Sequence, residues 1–288
     1  MKIGFVTFEK QDNRTPNSIG STRIRARWLY DRWEDAEEYH IGKQYDVLIF
    51  QKVYWEAMLT QFEGIKILDL CDPDWLEGRD VIRYCDMADA VTTSTQPLAD
   101  YILKFLPDKK VICVPDRVAL DEYKPIKTKH ETIAKEVVWF GYHQNFHYLT
   151  RTLNKLIQQG LSLAVIADKN FSIPPDIEIE VKSLKYQYPG INEQLIARDL
   201  AILPTTDDVD EKGKYKSNNK TIQCWALGLP VARTPDELVL LASVEARKAE
   251  AKKRLKQVKE EYDVMLSVEQ YKELIDDIKK TKKKESKN

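Results

Sequence analysis

Residues 137–167 read VVWFGYHQNFHYLTRTLNKLIQQGLSLAVIA. The first four, Val137–Phe140, are an apolar run short enough for a strand. Leu149–Gln159 repeats apolar residues at helical spacing, and Gly160 stops it. Leu161–Ala167 is a second apolar run. A strand, a helix and a strand in about thirty residues make a βαβ unit, which needs parallel strands and a crossover helix.

The same rhythm extends both ways. Upstream, Lys2–Phe8, Asp46–Gln51, Lys66–Leu70, Ala90–Thr93 and Lys110–Val114 read as strands. Helical patterns over Ser21–Trp33 and Pro97–Phe105 fall among them. Downstream come strands at Ile177–Val181 and Leu200–Pro204 and helices at Ile191–Arg198 and Asn218–Leu227, the latter stopped by Gly228 and Pro230. Lys124–Glu136 is polar, carries Pro125 and lacks an apolar period, so it reads as a linker. The expected organisation is α/β, with an N-terminal Rossmann-like domain over 1–124, a linker over 125–135 and a second Rossmann-like domain over 136–245. Helices and a basic tail fill 246–288, with Ser267 and Gln270 spaced as a capping box before the last helix.

Composition agrees. The 288 residues suit two domains, and 43% hydrophobic side chains are too many for a disordered chain. No apolar run reaches the ~18 residues of a membrane span, and MKIGFVTFEK is a first strand rather than a signal peptide. Cys71, Cys85, Cys113 and Cys224 form no CxxC pair and read as reduced thiols of a cytoplasmic protein. The net charge of −1 conceals an acidic body and a basic C-terminus. Residues 247–288 hold 14 basic and 9 acidic side chains, ending in KKTKKKESKN. That tail is either a solvated, frayed end or a contact for an anionic membrane or nucleic acid.

Several chemistries are missing. The sequence lacks GxGxxG after the first strand, GxxxxGK[ST] and GxSxG. His143 and His147 lie four apart but without an HExxH frame, so no metal site is expected.

Four strand-to-helix junctions remain, where α/β sheets bind ligands. At Tyr215-Lys-Ser-Asn-Asn-Lys-Thr221, Ser217 or Asn218 can cap the following helix, whose first-turn N–H groups favour a phosphate. Lys216 and Lys220 add charge, and Asn218 and Asn219 add amide donors; the alternative is a capped surface helix with solvated lysines. At Gly20-Ser-Thr-Arg-Ile-Arg-Ala-Arg27, Gly20 and Ser21 allow close approach and Arg23 and Arg27 share a helix face; the alternative is an Arg27–Asp31 surface pair. At Leu68–Trp75, Asp72 or Asp74 can act as a base or bind sugar hydroxyls beside Trp75, or simply initiate a turn. At Trp139–Asn145, Gly141 admits a ligand's approach and His143 and Asn145 follow it, or the glycine only turns the chain.

In order along the chain, these motifs resemble the GT-B glycosyltransferases. Lys216–Lys220 followed by CWALGLPV (224–231) is similar to that family's donor-binding helix and its Ala-x-Gly-x-Pro-Val ending. VPDRVALDEYKP (114–125) resembles the segment closing the N-terminal domain, and VVWFG (137–141) the glycine-ended strand opening the donor domain. GSTRIR (20–25) resembles the family's entry to its first helix, and EYDVMLSV (261–268) its terminal helical region. The resemblance implies two Rossmann-like domains facing a central cleft, with C-terminal helices crossing back to the N-terminal domain. It implies a metal-independent transferase that moves a sugar from a nucleoside diphosphate to an acceptor hydroxyl, the nucleotide sugar being a co-substrate and no cofactor being needed. Donor contacts fall to Gly141, His143, Lys216, Ser217, Asn218, Asn219 and Lys220, acceptor contacts to Gly20, Ser21, Arg23 and Arg25, and catalytic roles to Asp72 and Lys220. The acceptor is a glycan or lipid-linked glycan before a nucleic-acid base, because the acidic body offers no broad basic groove. The chain departs from the glycogen-synthase-like branch: Tyr215 and Gln223 stand where that branch has two glutamates, and Tyr142 follows Gly141 with no basic residue before Arg151. Those departures sustain a second reading, a non-catalytic nucleotide- or sugar-binding protein.

Overall fold

The computed structural model describes residues 1–11, 19–169, 179–206 and 209–285. They divide into two compact units. One comprises Met1–Ala119, Asp210–Ser217 and Asp263–Asn288; the other comprises Leu120–Val209 and Asn218–Tyr262.

The first unit is built on six strands: β1 (Ile3–Thr7), β2 (Ala36–Glu38), β3 (Val47–Gln51), β4 (Ile65–Leu70), β5 (Ala90–Thr93) and β6 (Val111–Cys113). All pair in parallel, in the order β2-β1-β3-β4-β5-β6. Every residue of β1, β3 and β5 is buried, the pattern of strands covered on both faces. Helices α1 (Phe8–Gln11), α2 (Gly20–Thr22), α3 (Trp28–Tyr30), α4 (Glu56–Gln61), α5 (Val81–Met87) and α6 (Gln96–Phe105) supply the cover. Between α2 and α3 the chain makes a wide π-type turn, Arg23–Arg27. Leu48, Phe50, Leu68, Leu70, Val91 and Ile102 form the heart of the core. Fully burying a side chain of this size contributes about 1.5–3 kcal/mol.

The second unit carries β7 (Glu136–Gly141), β8 (Ser162–Ala167), β9 (Val181–Lys185), β10 (Leu200–Ile202) and β11 (Val231–Ala232), parallel in the order β11-β10-β7-β8-β9. Its helices are α7 (Thr150–Gln158), α8 (Ile191–Ile196), α9 (Asn219–Ala226), α10 (Pro235–Leu240) and α11 (Val244–Glu261). The last helix, α12 (Val264–Glu285), belongs to the first unit, where the Val264 N–H donates to the Val118 carbonyl at 3.0 Å.

The expected α/β architecture of two Rossmann-like domains is what the structure shows, and its details differ at identifiable places. Ser267 does not cap the last helix. It lies inside α12, and with Gln270 it accepts hydrogen bonds from Arg117, at 2.9 and 2.5 Å. The helix expected over Ser21–Trp33 ends at Tyr30. The strand expected at Ile177–Val181 starts only at Val181; Ile177 and Glu178 lie outside the described residues, as do Ser286–Asn288 of the tail. The lysine-rich segment before them is helical rather than frayed, and Lys282 pairs with Asp89 at 2.8 Å. Within the segment expected as a linker, Lys127 is tied to the second unit. Its N–H donates to the Leu227 carbonyl at 2.7 Å and its ammonium to the Ile196 carbonyl at 2.9 Å.

Each sheet has one place where the strand order reverses. In the first unit the chain leaves β1 for β2 on one side and reaches β3 on the other. In the second it leaves β7 for β8 and β9, then returns to β10 on the far side. The carboxyl ends of β1/β3 and of β7/β10 are therefore the positions at which open α/β sheets bind ligands.

Candidate functional site

The β7/β10 reversal gathers several residues singled out from sequence. Gly141 ends β7, and the segment after β10 leads to α9, whose first turn holds Asn219 and Lys220. The Lys220 ammonium lies 5.6 Å from the centroid of the Trp139 ring. A Cβ at Gly141 would stand 2.7 Å from that ammonium and 3.3 Å from the Trp139 ring, with φ at +157°. The φ favours glycine here, and a Cβ would displace the end of the lysine and press on the indole. His143 follows on a 3-10 turn, His143–Leu149. Its backbone N–H donates to Asp168 Oδ1 at 2.8 Å, and its ring Nδ1 lies 3.1 Å from both Asp168 oxygens. Burial would raise the Asp168 pKa, but the bonds from His143 hold it below the usual aspartate value.

Helix α9 is anchored by its buried face, Ile222, Cys224, Trp225 and Ala226. The Arg254 guanidinium packs over the Trp225 ring at 4.1 Å. Gly228 ends the helix with φ +69°; a Cβ there would meet the Lys127 carbonyl oxygen at 2.9 Å. The N-cap is Asn218, whose side chain makes no capping bond.

Ser217 does not cap α9. It belongs to the first unit, where its hydroxyl donates to Asp116 Oδ2 at 2.5 Å. Lys216 is half-buried beside it. Burial lowers its pKa to about 8, against the opposing pull of Asp210. Tyr215 packs edge-on against Trp75 at 5.0 Å, and Trp75 lies flat on Tyr101 at 3.6 Å. Gln223 is buried in α9. Neither Tyr215 nor Gln223 replaces the acid–base capacity of a glutamate.

The first unit changes the reading of the expected acceptor residues. Arg25 is 4% exposed and clasps Asp69 with two bonds, Nε to Oδ2 at 2.8 Å and Nη2 to Oδ1 at 2.6 Å. Its Nη1 donates to Asp116 and to the Val114 carbonyl, both at 2.8 Å. Asp69 Oδ1 also accepts from Thr92 at 2.7 Å and from Tyr271 of α12 at 3.0 Å. Burial alone would lower the Arg25 pKa; Asp69 and Asp116 instead hold it well above the usual value. Arg25 is thus a framework residue, with four of its five N–H donors engaged inside the protein. Arg23 is buried as well, its guanidinium 5.8 Å from the Trp28 ring. Arg27 takes its surface alternative, 3.8 Å from Asp31. Gly20 is half-exposed at the start of α2, next to Ser21.

At the β1/β3 reversal the sequence singles out the junction after β1, and Asp72 and Asp74, but not Lys52. Lys52 follows β3 with φ at 53°, a left-handed conformation uncommon for a side chain with a Cβ. Its ammonium lies 2.6 Å from Asp72 and 3.3 Å from Asp74. Burial acts to lower its pKa, but the surrounding negative groups, the two aspartates among them, raise it. Tyr54 donates to Asp74 at 2.7 Å. Asp72, expected to be catalytic, is therefore already paired with a cation.

No protein-family model matches the sequence. No curated protein matches it at the sequence level. Solved structures do. TarM of S. aureus, held with fondaparinux, α-GlcNAc-glycerol and UDP, superposes with a TM-score of 0.59 at 11% identity, over 80% of this chain and 55% of that one. The GtfA/B complex gives 0.56 at 12% identity, over 81% and 57%. A trehalose-6-phosphate synthase studied for glycosyl transfer with retention gives 0.53 at 9% identity, over 88% and 82%. The chain spans about half the length of the TarM chain. At such identities the likeness establishes the fold alone: two Rossmann-like α/β units, the GT-B fold.

Proposed function

We propose that the protein is a glycosyltransferase that binds a nucleoside-diphosphate sugar on its second unit. The observation that carries this reading is the Lys220 ammonium lying over Gly141 at the β7/β10 reversal, in the first turn of α9. A diphosphate there meets the N–H groups of α9, the amides of Asn218 and Asn219, and the Lys220 charge. His143, held by Asp168, supplies a further polar group beside Gly141.

In the reaction the oxygen of an acceptor hydroxyl bonds to the anomeric carbon. The bond from that carbon to the β-phosphate oxygen breaks, and its electron pair leaves with the diphosphate. The hydroxyl proton passes to a carboxylate or to the departing phosphate. Lys220 stabilises the leaving group most when its charge is greatest, in the transition state. In this reading fixed cations and helix N–H groups neutralise the phosphate, so the transferase works without a metal and transfer persists in EDTA. UDP, present with TarM, is the nucleotide to try first. The acceptor is a glycan or lipid-linked glycan in preference to a nucleic-acid base. No helix among the described residues is long and apolar enough to cross a membrane. We place the protein in the cytoplasm, with the lysines of α12 available for peripheral contact with an anionic surface.

Release of nucleoside diphosphate from a panel of nucleotide sugars tests the reading. It expects turnover that falls at least tenfold in Lys220→Ala. The second reading, binding without transfer, is favoured by Tyr215 and Gln223 where a related branch has glutamates; tight nucleotide binding with no turnover of any donor would select it.

A further inference from the structure

We propose that His130 makes the segment 124–131 a pH-operated latch: with a neutral imidazole the segment stays docked on the second unit, and protonation of the ring releases it. The latch stands apart from the sugar-transfer reading and uses none of the residues assigned to it. The segment follows the point, between Ala119 and Leu120, at which the chain leaves the first unit for the second.

Cations placed at helix ends dock the segment. The last carbonyls of a helix have no partner within it, and positive charge beside them is favourable. Lys127 serves two helices. Its N–H donates to the Leu227 carbonyl after α9 at 2.7 Å, and its ammonium to the Ile196 carbonyl ending α8 at 2.9 Å. Arg247 of α11, 0% exposed, serves a third: Nη1 donates to the Leu241 and Ala242 carbonyls after α10, both at 2.7 Å. Its Nη2 reaches into the segment and donates to the Glu131 carbonyl.

His130 sits among these cations. It is 9% exposed, and its Nδ1 is buried with no hydrogen-bond partner among the described residues. A neutral ring with its proton on Nε2 leaves Nδ1 a bare lone pair; protonation makes it a buried N–H without an acceptor. The charged groups facing the ring are Lys127 of its own segment, Arg247 and Lys248 of α11, and Asp199 just before β10. Asp199 alone opposes the three cations, and its Oδ2 already accepts from the Lys135 and Glu136 N–H groups at 2.8 and 3.0 Å. The Glu131 carboxylate turns to Lys129 instead, at 3.0 Å. Burial, and then the cations, hold the His130 pKa below the usual imidazole value. A released segment has the usual value and takes up the proton first. Docking is therefore at full strength above about pH 6.5 and weakens as the pH falls below it.

Hydrogen exchange of the full chain, read by mass spectrometry and corrected for the intrinsic rate at each pH, tests this. Protection of the amides in 124–131 should fall about fivefold or more between about pH 7.5 and about pH 5.5, while the amides of β8 in the same unit keep theirs. His130→Gln, neutral throughout, should abolish the fall. Lys248→Ala should lessen it, because one cation facing the ring is gone. Lys248 is exposed, so its variant folds even if His130→Gln does not. Protection indifferent to pH, a fall retained in His130→Gln, a fall undiminished in Lys248→Ala, or an equal fall in β8 overturns the proposal.

Discussion

The two strand-order reversals surround their lysines differently. At β1/β3 positive and negative groups are interleaved: Lys52 with Asp72 and Asp74, Glu77 with Lys212 at 2.7 Å. At β7/β10 the Lys220 ammonium rests against an indole and a glycine. At the first edge the charges are compensated within the protein, and at the second a lysine ammonium packs on an aromatic face. The same Rossmann topology thus sets different surroundings for the strand-end lysine of each unit.

The largest expected effect lies in the frame beneath the compensated edge. Arg25→Ala leaves Asp69 buried at 0% exposure without its bidentate partner. Breaking a buried pair on one side costs about 3–5 kcal/mol, so the urea midpoint of the first unit should fall sharply. A midpoint within error of wild type would show that Asp69 does not depend on Arg25. Lys220→Ala should do the reverse. Losing a charged donor costs about 1.5–3 kcal/mol of UDP affinity, while stability stays within about 0.5 kcal/mol. Gly141→Ala should weaken UDP binding in the same direction, because its Cβ evicts the ammonium from its place beside Trp139. If Lys220→Ala unfolds the second unit, the contrast between frame and site is wrong; Gly141→Ala carries a backbone strain cost of its own at φ +157°.

Lys216 gives a smaller effect with a definite sign. Its pKa, about 8, is below that of a lysine in the unfolded chain, so the unfolded state binds more protons between about pH 8 and 10.4. Its contribution to stability therefore rises with pH across that window, and the penalty is fully present below it. Lys216→Met should flatten that rise in pH-dependent urea melts; an unaltered slope would contradict the burial assigned to this lysine. Smallest of all, Lys212→Ala removes a surface pair with Glu77 and should shift stability by less than about 1 kcal/mol.

Much of the scaffold was legible because parallel strands covered on both faces are near-continuous apolar runs. Ala90–Thr93 was read to the residue, and Val137–Phe140 lacks only one residue at each end of β7. β2 was illegible: three residues, Ala36–Glu38, two of them acidic and none fully buried, form a strand only because β1 offers an edge. Lys52 was missed for a related reason. The reading ended with the apolar run at Gln51, and no local signal marks a left-handed lysine whose partners lie 20 residues or more away. Arg25 shows the converse. Its position after Gly20 looked like a ligand contact, but its partners Asp69 and Asp116 are separated from it by 44 and 91 residues. A basic residue at a helix entry gives no sequence sign of whether its counter-charge is a ligand or the protein itself.

Calorimetric titration of UDP into the wild-type protein and Lys220→Ala tests the central claim most directly. A charged edge at β7/β10 predicts saturable one-to-one binding, weakened at least tenfold by the substitution with no change in thermal stability. Equal affinity in the two proteins, or no heat of binding in either, would contradict it.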